Sequence, residues 1–304
     1  MMKKCVILFS LIFVFVSLCA CGASAPHAQQ DKTDSVIGED TSVSFEDVPV
    51  EYYEYEIVKK DCERDGLNIS GEAYVPKREG KLPLVIFAHE LGSTHRSGIP
   101  YAECLANHGI AAYVFDFCGG SVSSRSDGST VGMSVMTEAA DMEAVLEAAQ
   151  QWDFVDSDKI VLIGASQGGV ASAVVAAREP EKVNGLVLLY PAFVIRDTVQ
   201  DEFDSIDEVP EQFNFNGWIM VGRNYVTDVW DYDVYAEMKN FQKPVLLLHG
   251  NRDSLVDISY SERAAEAYPD AELEVLDGAG HGFYGNSFEI AMDYILSYLT
   301  EIGV

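Results

Sequence analysis

Three residue types that together can carry acyl transfer occur in this chain in separate loops. Ser166 stands in IGASQGG (163–169), between Gly164 and Gly168 and directly after a short apolar run. A serine hydroxyl is a weak nucleophile until a base takes its proton, and the base in turn needs a carboxylate to orient it. The histidines are His27, His89, His95, His108, His249 and His281. His27 lies in a polar N-terminal stretch, and His108 falls at a helix end (ANHG), where a cap or surface role suffices. His89 and His249 each close a strand-like run and read as structural residues bonding nearby backbone. His281 lies in DGAGHGF (277–283), a loop after the last apolar run, from which an imidazole can reach across to a serine. It is the candidate base. Among carboxylates, Asp253 in LLHGNRDSLVD (247–257) lies in a strand-to-helix loop, whereas Asp257 reads as the N-cap of the helix that follows.

Acyl transfer also needs donors for the oxyanion. One candidate is the backbone N–H of Gln167, next after the serine and at a helix N-terminus. The second should come from AHELGST (88–94). No cofactor is needed for this chemistry, and the chain has neither C-x-x-C nor H-E-x-x-H spacing that would suggest a metal.

The loops must be held by strands. LPLVIFAH (82–89), IAAYVFDF (110–117), KIVLIGA (159–165), VNGLVLLY (183–190), PVLLLH (244–249) and ELEVLD (272–277) are short apolar runs, as expected of strands buried on both faces of a parallel sheet. Residues 51–59 and 67–76 alternate and predict an antiparallel hairpin at the sheet edge. Met136, Ala139, Met142, Val145 and Leu146 recur at the helical period within 134–151, and helices are also expected over 168–178, 257–268 and 287–302. This alternation implies an α/β fold with a mainly parallel sheet flanked by helices. Residues 192–242 interrupt it with a segment far longer than a loop of roughly 2–6 residues. It is acidic over 197–208, then carries Phe213, Phe215, Trp218, Tyr225, Trp230, Tyr232 and Tyr235. It reads as an inserted cap whose base lies at the edge or the carboxyl end of the sheet, where ligands bind.

The chain has 304 residues, is 48% hydrophobic and carries a formal net charge of −29. That is enough apolar material for a real core, and a charge that repels nucleic acid phosphates. Lys3 and Lys4 precede thirteen uncharged residues, VILFSLIFVFVSL (6–18), too few for a spanning helix of roughly 20 residues. Residues 1–20 read as a signal peptide. Leu18–Cys21 resembles a bacterial lipobox, which implies that Cys21 accepts lipid and that the membrane is met through this N-terminal anchor, on the outer face of the cell; a secreted form is the alternative. Residues 21–47 read as a flexible tether and 48–304 as the folded domain. The three cysteines left, Cys62, Cys104 and Cys118, are an odd number, so little disulfide stapling is expected.

The order Ser166, Asp253, His281, with AHELGSTHR, FDFCGG, IGASQGG, WDYDVYAEMKNFQKPVLLLHGNRD and DGAGHGF, resembles α/β-hydrolases of the cinnamoyl/feruloyl esterase-like group, related to serine aminopeptidases and monoacylglycerol lipases. The resemblance covers about residues 50–302. It implies Ser166 as nucleophile, His281 as base, Asp253 as acid and Leu91 as the second oxyanion N–H. The implied substrate is a small-molecule ester, hydroxycinnamoyl or short acyl. A peptidase, lipase or acyltransferase on the same fold, or a non-catalytic surface-binding lipoprotein, are the alternatives. The family usually has His-Gly where this chain has His89-Glu90. The Glu90 carboxylate either turns to solvent or biases the site toward amine-bearing substrates.

Overall fold

The structure is a computed structural model and describes residues 52–304. The expected signal peptide (1–20), Cys21, the tether (21–47) and the first residues of the expected domain lie outside the described residues.

Each apolar run becomes a strand, and the sheet fixes where the loops emerge. In chain order the elements are β1 (Tyr55–Lys59), β2 (Cys62–Arg64), β3 (Leu67–Ile69), β4 (Gly71–Pro76), β5 (Leu82–Ala88), α1 (Ile99–Asn107), β6 (Ala111–Phe115), α2 (Val135–Ala149), β7 (Val155–Ala165), α3 (Gln167–Arg178) and β8 (Gly185–Leu189). After these come α4 (Ile195–Glu202), β9 (Gln212–Phe215), β10 (Ile219–Gly222), α5 (Asn224–Thr227), α6 (Val234–Met238), β11 (Val245–Gly250), α7 (Ser259–Ala267), β12 (Ala271–Leu276) and α8 (Asn286–Glu301). Eight strands form one sheet in the order β1-β4-β6-β5-β7-β8-β11-β12. From β6 to β12 every pair is parallel, and β4 and β1 add on antiparallel. This is an α/β-hydrolase fold.

Side chains alternate across the strands, so each continuous apolar run feeds two cores. Leu84, Ile86, Ile160, Leu162, Leu186 and Leu188 pack under α2 and α3. Their neighbours Val85, Phe87, Val161, Ile163, Val187 and Leu189 pack under α1 and α8. β12 departs from the expectation of full burial: it is the edge strand, has one neighbour, and only Leu276 is buried. The predicted edge hairpin is more elaborate than expected. β1 pairs with β4, and β2 and β3 between them form their own two-stranded sheet. Their turn is Asp65-Gly66, both at positive φ (51° and 81°), the pairing that a tight hairpin favours.

The insert between β8 and β11 holds four short helices or turns and the β9–β10 hairpin. It is fastened to the domain by polar contacts. Ser134 Oγ donates to Asp228 (2.6 Å), Asn224 Nδ2 donates to the carbonyls of Gly132 and Met133 (3.0 and 3.1 Å), and Tyr260 OH donates to Asp197 (2.7 Å). The β2–β3 hairpin is fastened differently: Arg64 Nε donates to Asp141 Oδ1 at 2.6 Å, and the Asp141 side chain is fully buried on α2. The other Asp141 oxygen accepts from the Cys118 N–H (2.8 Å). Burial pushes the Asp141 carboxyl up, and Arg64 opposes that. Removing the guanidinium leaves a buried charge with one partner fewer, so Arg64→Met is expected to destabilise the fold by about 3 kcal/mol in urea denaturation. A loss below about 1 kcal/mol, the worth of an exposed pair, would show that the pair anchors nothing.

Candidate active site

Ser166 joins β7 to α3 with φ 51° and ψ −118°, a conformation that a residue with a side chain adopts only under constraint. The constraint comes from the neighbouring chain. The Ser166 N–H donates to Leu189 O (2.9 Å), and its carbonyl accepts from Gly169 N and Ala192 N, both at 3.0 Å. The flanking glycines make the turn possible. A Cβ on Gly164 would run into Ser172 Oγ and Gly168 O, and one on Gly168 into the carbonyls of Ala88 and His89. The turn therefore presses against the end of β5, which brings the loop after β5 beside the serine.

The loops after β11 and β12 supply the other two side chains. His281 Nε2 is 2.8 Å from Ser166 Oγ, and His281 Nδ1 is 2.7 Å from Asp253 Oδ2. Asp253 Oδ1 accepts from the N–H groups of Leu255 (2.8 Å) and Val256 (3.0 Å). Burial works against the Asp253 charge, yet hydrogen bonds from His249, His281 and these two amides hold its carboxyl well below the usual range. With Nδ1–H committed to the carboxylate, Nε2 is left to accept from the serine hydroxyl. Asp257, the competing carboxylate, accepts from Ser259 N (2.9 Å) at the start of α7 and stays with the helix.

Gln167 and Leu91 both line the cavity that holds Ser166 and His281, about 450 Å³ in volume. Neither backbone N–H has an acceptor among the described residues. The Leu91 loop is braced: His89 Nδ1–H donates to Glu90 O (2.8 Å), Phe117 N donates to His89 Nε2 (3.2 Å), and Gly92 N donates to Gly120 O (3.0 Å). Burial pushes the His89 imidazole down, consistent with a neutral ring accepting at one nitrogen.

The profile of the prolyl oligopeptidase family matches residues 101–302, two thirds of the chain. The chain belongs to the prolyl oligopeptidase family. Among curated relatives, the mouse mitochondrial palmitoyl-protein thioesterase ABHD10 is 25% identical over 210 residues, 65% of this chain and 68% of that protein. The putative carbamate hydrolase RutD of Caulobacter sp. (strain K31) is 30% identical over 95 residues, 31% of this chain. This chain spans about a third of the length of RutD and of another relative, the quorum-quenching protein AidA of Acinetobacter baumannii (strain MDR-ZJ06). Among solved structures, Est1E of Butyrivibrio proteoclasticus with ferulic acid bound superposes with a TM-score of 0.72 at 24% identity, over 80% of this chain and 98% of that one. The fold is thus the one these hydrolases share.

Within this family member several contacts lie beyond what the sequence motifs indicate. His249 does more than bond nearby backbone. Its Nε2 lies 3.1 Å from Val256 O and 3.2 Å from Asp253 Oδ2, and its Nδ1 lies 2.7 Å from Ser261 Oγ, so a second imidazole supports the same carboxylate. Tyr190, at φ 37°, sets its ring edge-to-face on His281, with centroids 5.0 Å apart. The Glu90 carboxylate does not turn to solvent: Oε1 accepts from Tyr190 OH (3.0 Å), and Oε2 is buried without a partner. Of the insert's aromatics, Phe215, Trp218 and Tyr225 line the cavity; Phe213 packs on Phe203 and Tyr235 on Phe193.

Behind Gln167 runs a buried polar chain. Tyr225 OH donates to Gln167 Oε1 (2.6 Å), and Gln167 Nε2 donates to Glu138 Oε2 (2.9 Å). Glu138 is fully buried, and burial pushes its carboxyl well above the usual range, so folding favours its neutral form. Unfolding releases that carboxyl to ionise above its ordinary value of about 4.3. The folded state then holds a proton that the unfolded state loses, so stability falls as pH rises beyond that point. A Glu138→Gln variant removes this dependence. Its melting temperature relative to the parent is expected to rise by at least about 2 °C between about pH 5 and about pH 8. A difference that is constant with pH would show that Glu138 titrates alike in both states.

Proposed function

We propose that the protein is a serine carboxylic-ester hydrolase working through Ser166, His281 and Asp253. The observation that supports the reading best is the continuous hydrogen-bonded line Asp253–His281–Ser166, at 2.7 and 2.8 Å, ending on a serine that is only 7% exposed within a cavity. In the first step His281 Nε2 takes the hydroxyl proton as Ser166 Oγ attacks the ester carbonyl, and Asp253 stabilises the imidazolium that forms. The N–H groups of Gln167 and Leu91 receive the oxyanion. His281 then gives its proton to the departing alcohol. Water, activated by the same histidine, cleaves the acyl-enzyme and restores Ser166.

The acyl group enters the cavity under the insert, which serves as a cap. Ala192, Val194, Ile195, Phe215, Trp218 and Leu255 give that cavity a mostly apolar wall, suited to a short acyl or aromatic acyl chain. A hydroxycinnamoyl ester fits this chemistry, and the ferulic acid in Est1E, whose fold is shared, supports it by analogy. The family to which the chain belongs favours a second reading, amide cleavage by the same acyl-enzyme route. We also propose export and anchoring through lipid on Cys21, a reading supported by the N-terminal sequence pattern alone.

One labelling experiment addresses nucleophile and anchor together. A fluorophosphonate probe is expected to label the membrane fraction of cells expressing the chain, with the label lost in Ser166→Ala and moved to the released fraction in Cys21→Ser. On purified protein, Ser166→Ala and His281→Ala should each lower kcat on an aryl ester by at least about 10⁴-fold, and the matched amide should turn over more slowly than the ester. Labelling that survives Ser166→Ala would remove the mechanism, and an amide turned over as fast as its ester would favour the peptidase.

A further inference from the structure

Three cavities meet at Glu90. The first holds Ser166 and His281 beneath the insert. The second, about 320 Å³, lies against the rings of Tyr101, Tyr190, Phe283, Tyr284 and Phe288. The third, about 230 Å³, runs past His281, Gly282 and Tyr284, and Glu90 lines all three. The rings of the second cavity are set against one another: Tyr190 packs edge-on to Phe283 (4.9 Å), and Tyr101 edge-on to Phe288 (4.9 Å). Tyr284 is 80% exposed and gives this space a side open to solvent.

The Glu90 carboxylate is out of balance with these surroundings. One oxygen has the Tyr190 hydroxyl, the other is buried with nothing, and among the described residues no lysine or arginine pairs with it. Such a group in a folded protein calls for an explanation. Its position makes the question sharper. Glu90 adjoins Leu91, whose N–H faces the proposed oxyanion, and a negative charge there opposes the charge that builds up on the substrate oxygen. A positive charge brought by the substrate would satisfy the carboxylate and cancel this opposition at once. Aromatic ring faces beside a carboxylate are the surroundings that hold an organic ammonium group.

We propose that the second cavity is an ammonium subsite, with Glu90 as counter-ion and the five rings as its walls, and that the protein prefers esters bearing a positively charged amine over their neutral isosteres. Turnover of such esters rests on the ester-hydrolase reading above; binding of the cation does not. Exposed Arg96 also lines this cavity and is the chain's own rival for Glu90.

Binding is tested by calorimetric titration of tetramethylammonium chloride into the full chain carrying Ser166→Ala, with sodium chloride at equal ionic strength as the baseline. Saturable binding is expected, weakened at least about 10-fold by Glu90→Gln and also weakened by Tyr284→Ala, whose exposed side chain can be lost without harm to the fold. Arg96→Ala should tighten it. Turnover is tested with butyrylcholine against 3,3-dimethylbutyl butyrate, its uncharged isostere. The parent should favour the charged ester by about 10-fold in kcat/KM, and Glu90→Gln should bring the ratio near one. Heat no different from sodium chloride, or equal kcat/KM for the two esters, or a ratio unmoved by Glu90→Gln, overturns the subsite. Cation binding without any ester turnover or fluorophosphonate labelling would keep the subsite and remove the ester-hydrolase reading instead.

Discussion

The backbone of Ser166 is the constraint on which the site depends. Holding a residue with a side chain at φ 51°, ψ −118° costs about 1–3 kcal/mol, and the turn survives because its neighbours leave no alternative. β8 and the residues after it take both backbone groups of Ser166, and the carbonyls at the end of β5 press against Gly168. Relaxing the turn would break these hydrogen bonds in the middle of the sheet, where β8 is buried on both faces. The strain is therefore stabilised by the sheet as a whole. It points Oγ away from the strand and toward the imidazole delivered from the far side by the loop after β12.

A second level of organisation is polar and buried. Asp253 receives two imidazoles and two amides, so its charge is shared among four donors. Glu138, Gln167 and Tyr225 link α2, the Ser166 turn and the insert by hydrogen bonds of 2.9 and 2.6 Å. Through that chain the residue next to Ser166 is tied to the segment that walls the cavity. The insert and the residue that carries the Gln167 N–H are thus joined by a direct hydrogen bond.

The strands and main helices were legible in the sequence because their signals are local: apolar runs, a 3.6-residue period, glycines at turns. The loops carrying Ser166, Asp253 and His281 stood out for the same reason, since each follows its own strand. What the sequence did not show depends on contacts between distant segments. The turn of Glu90 toward Tyr190 joins residues 100 positions apart, and Gln167 to Tyr225 spans 58. His249 reaching Asp253 is only four residues away, yet a histidine ending a strand gives no sign of which side its ring will take. The aromatics of the insert were visible as a group, but which of them face the cavity is decided by the β9–β10 hairpin. Edge burial was misjudged at β12 because strand order is a property of the whole sheet.

In the proposed mechanism, the strained turn holds the Ser166 oxygen where a tetrahedral centre bonded to it would meet two free amides. A crystal structure of the protein after reaction with a phosphonate inhibitor tests this directly. The expected result is phosphorus bonded to Ser166 Oγ, with the phosphoryl oxygen within about 3 Å of both the Gln167 and Leu91 nitrogens. A phosphoryl oxygen turned away from those amides, or a turn at residue 166 that has relaxed to ordinary backbone angles, would contradict it.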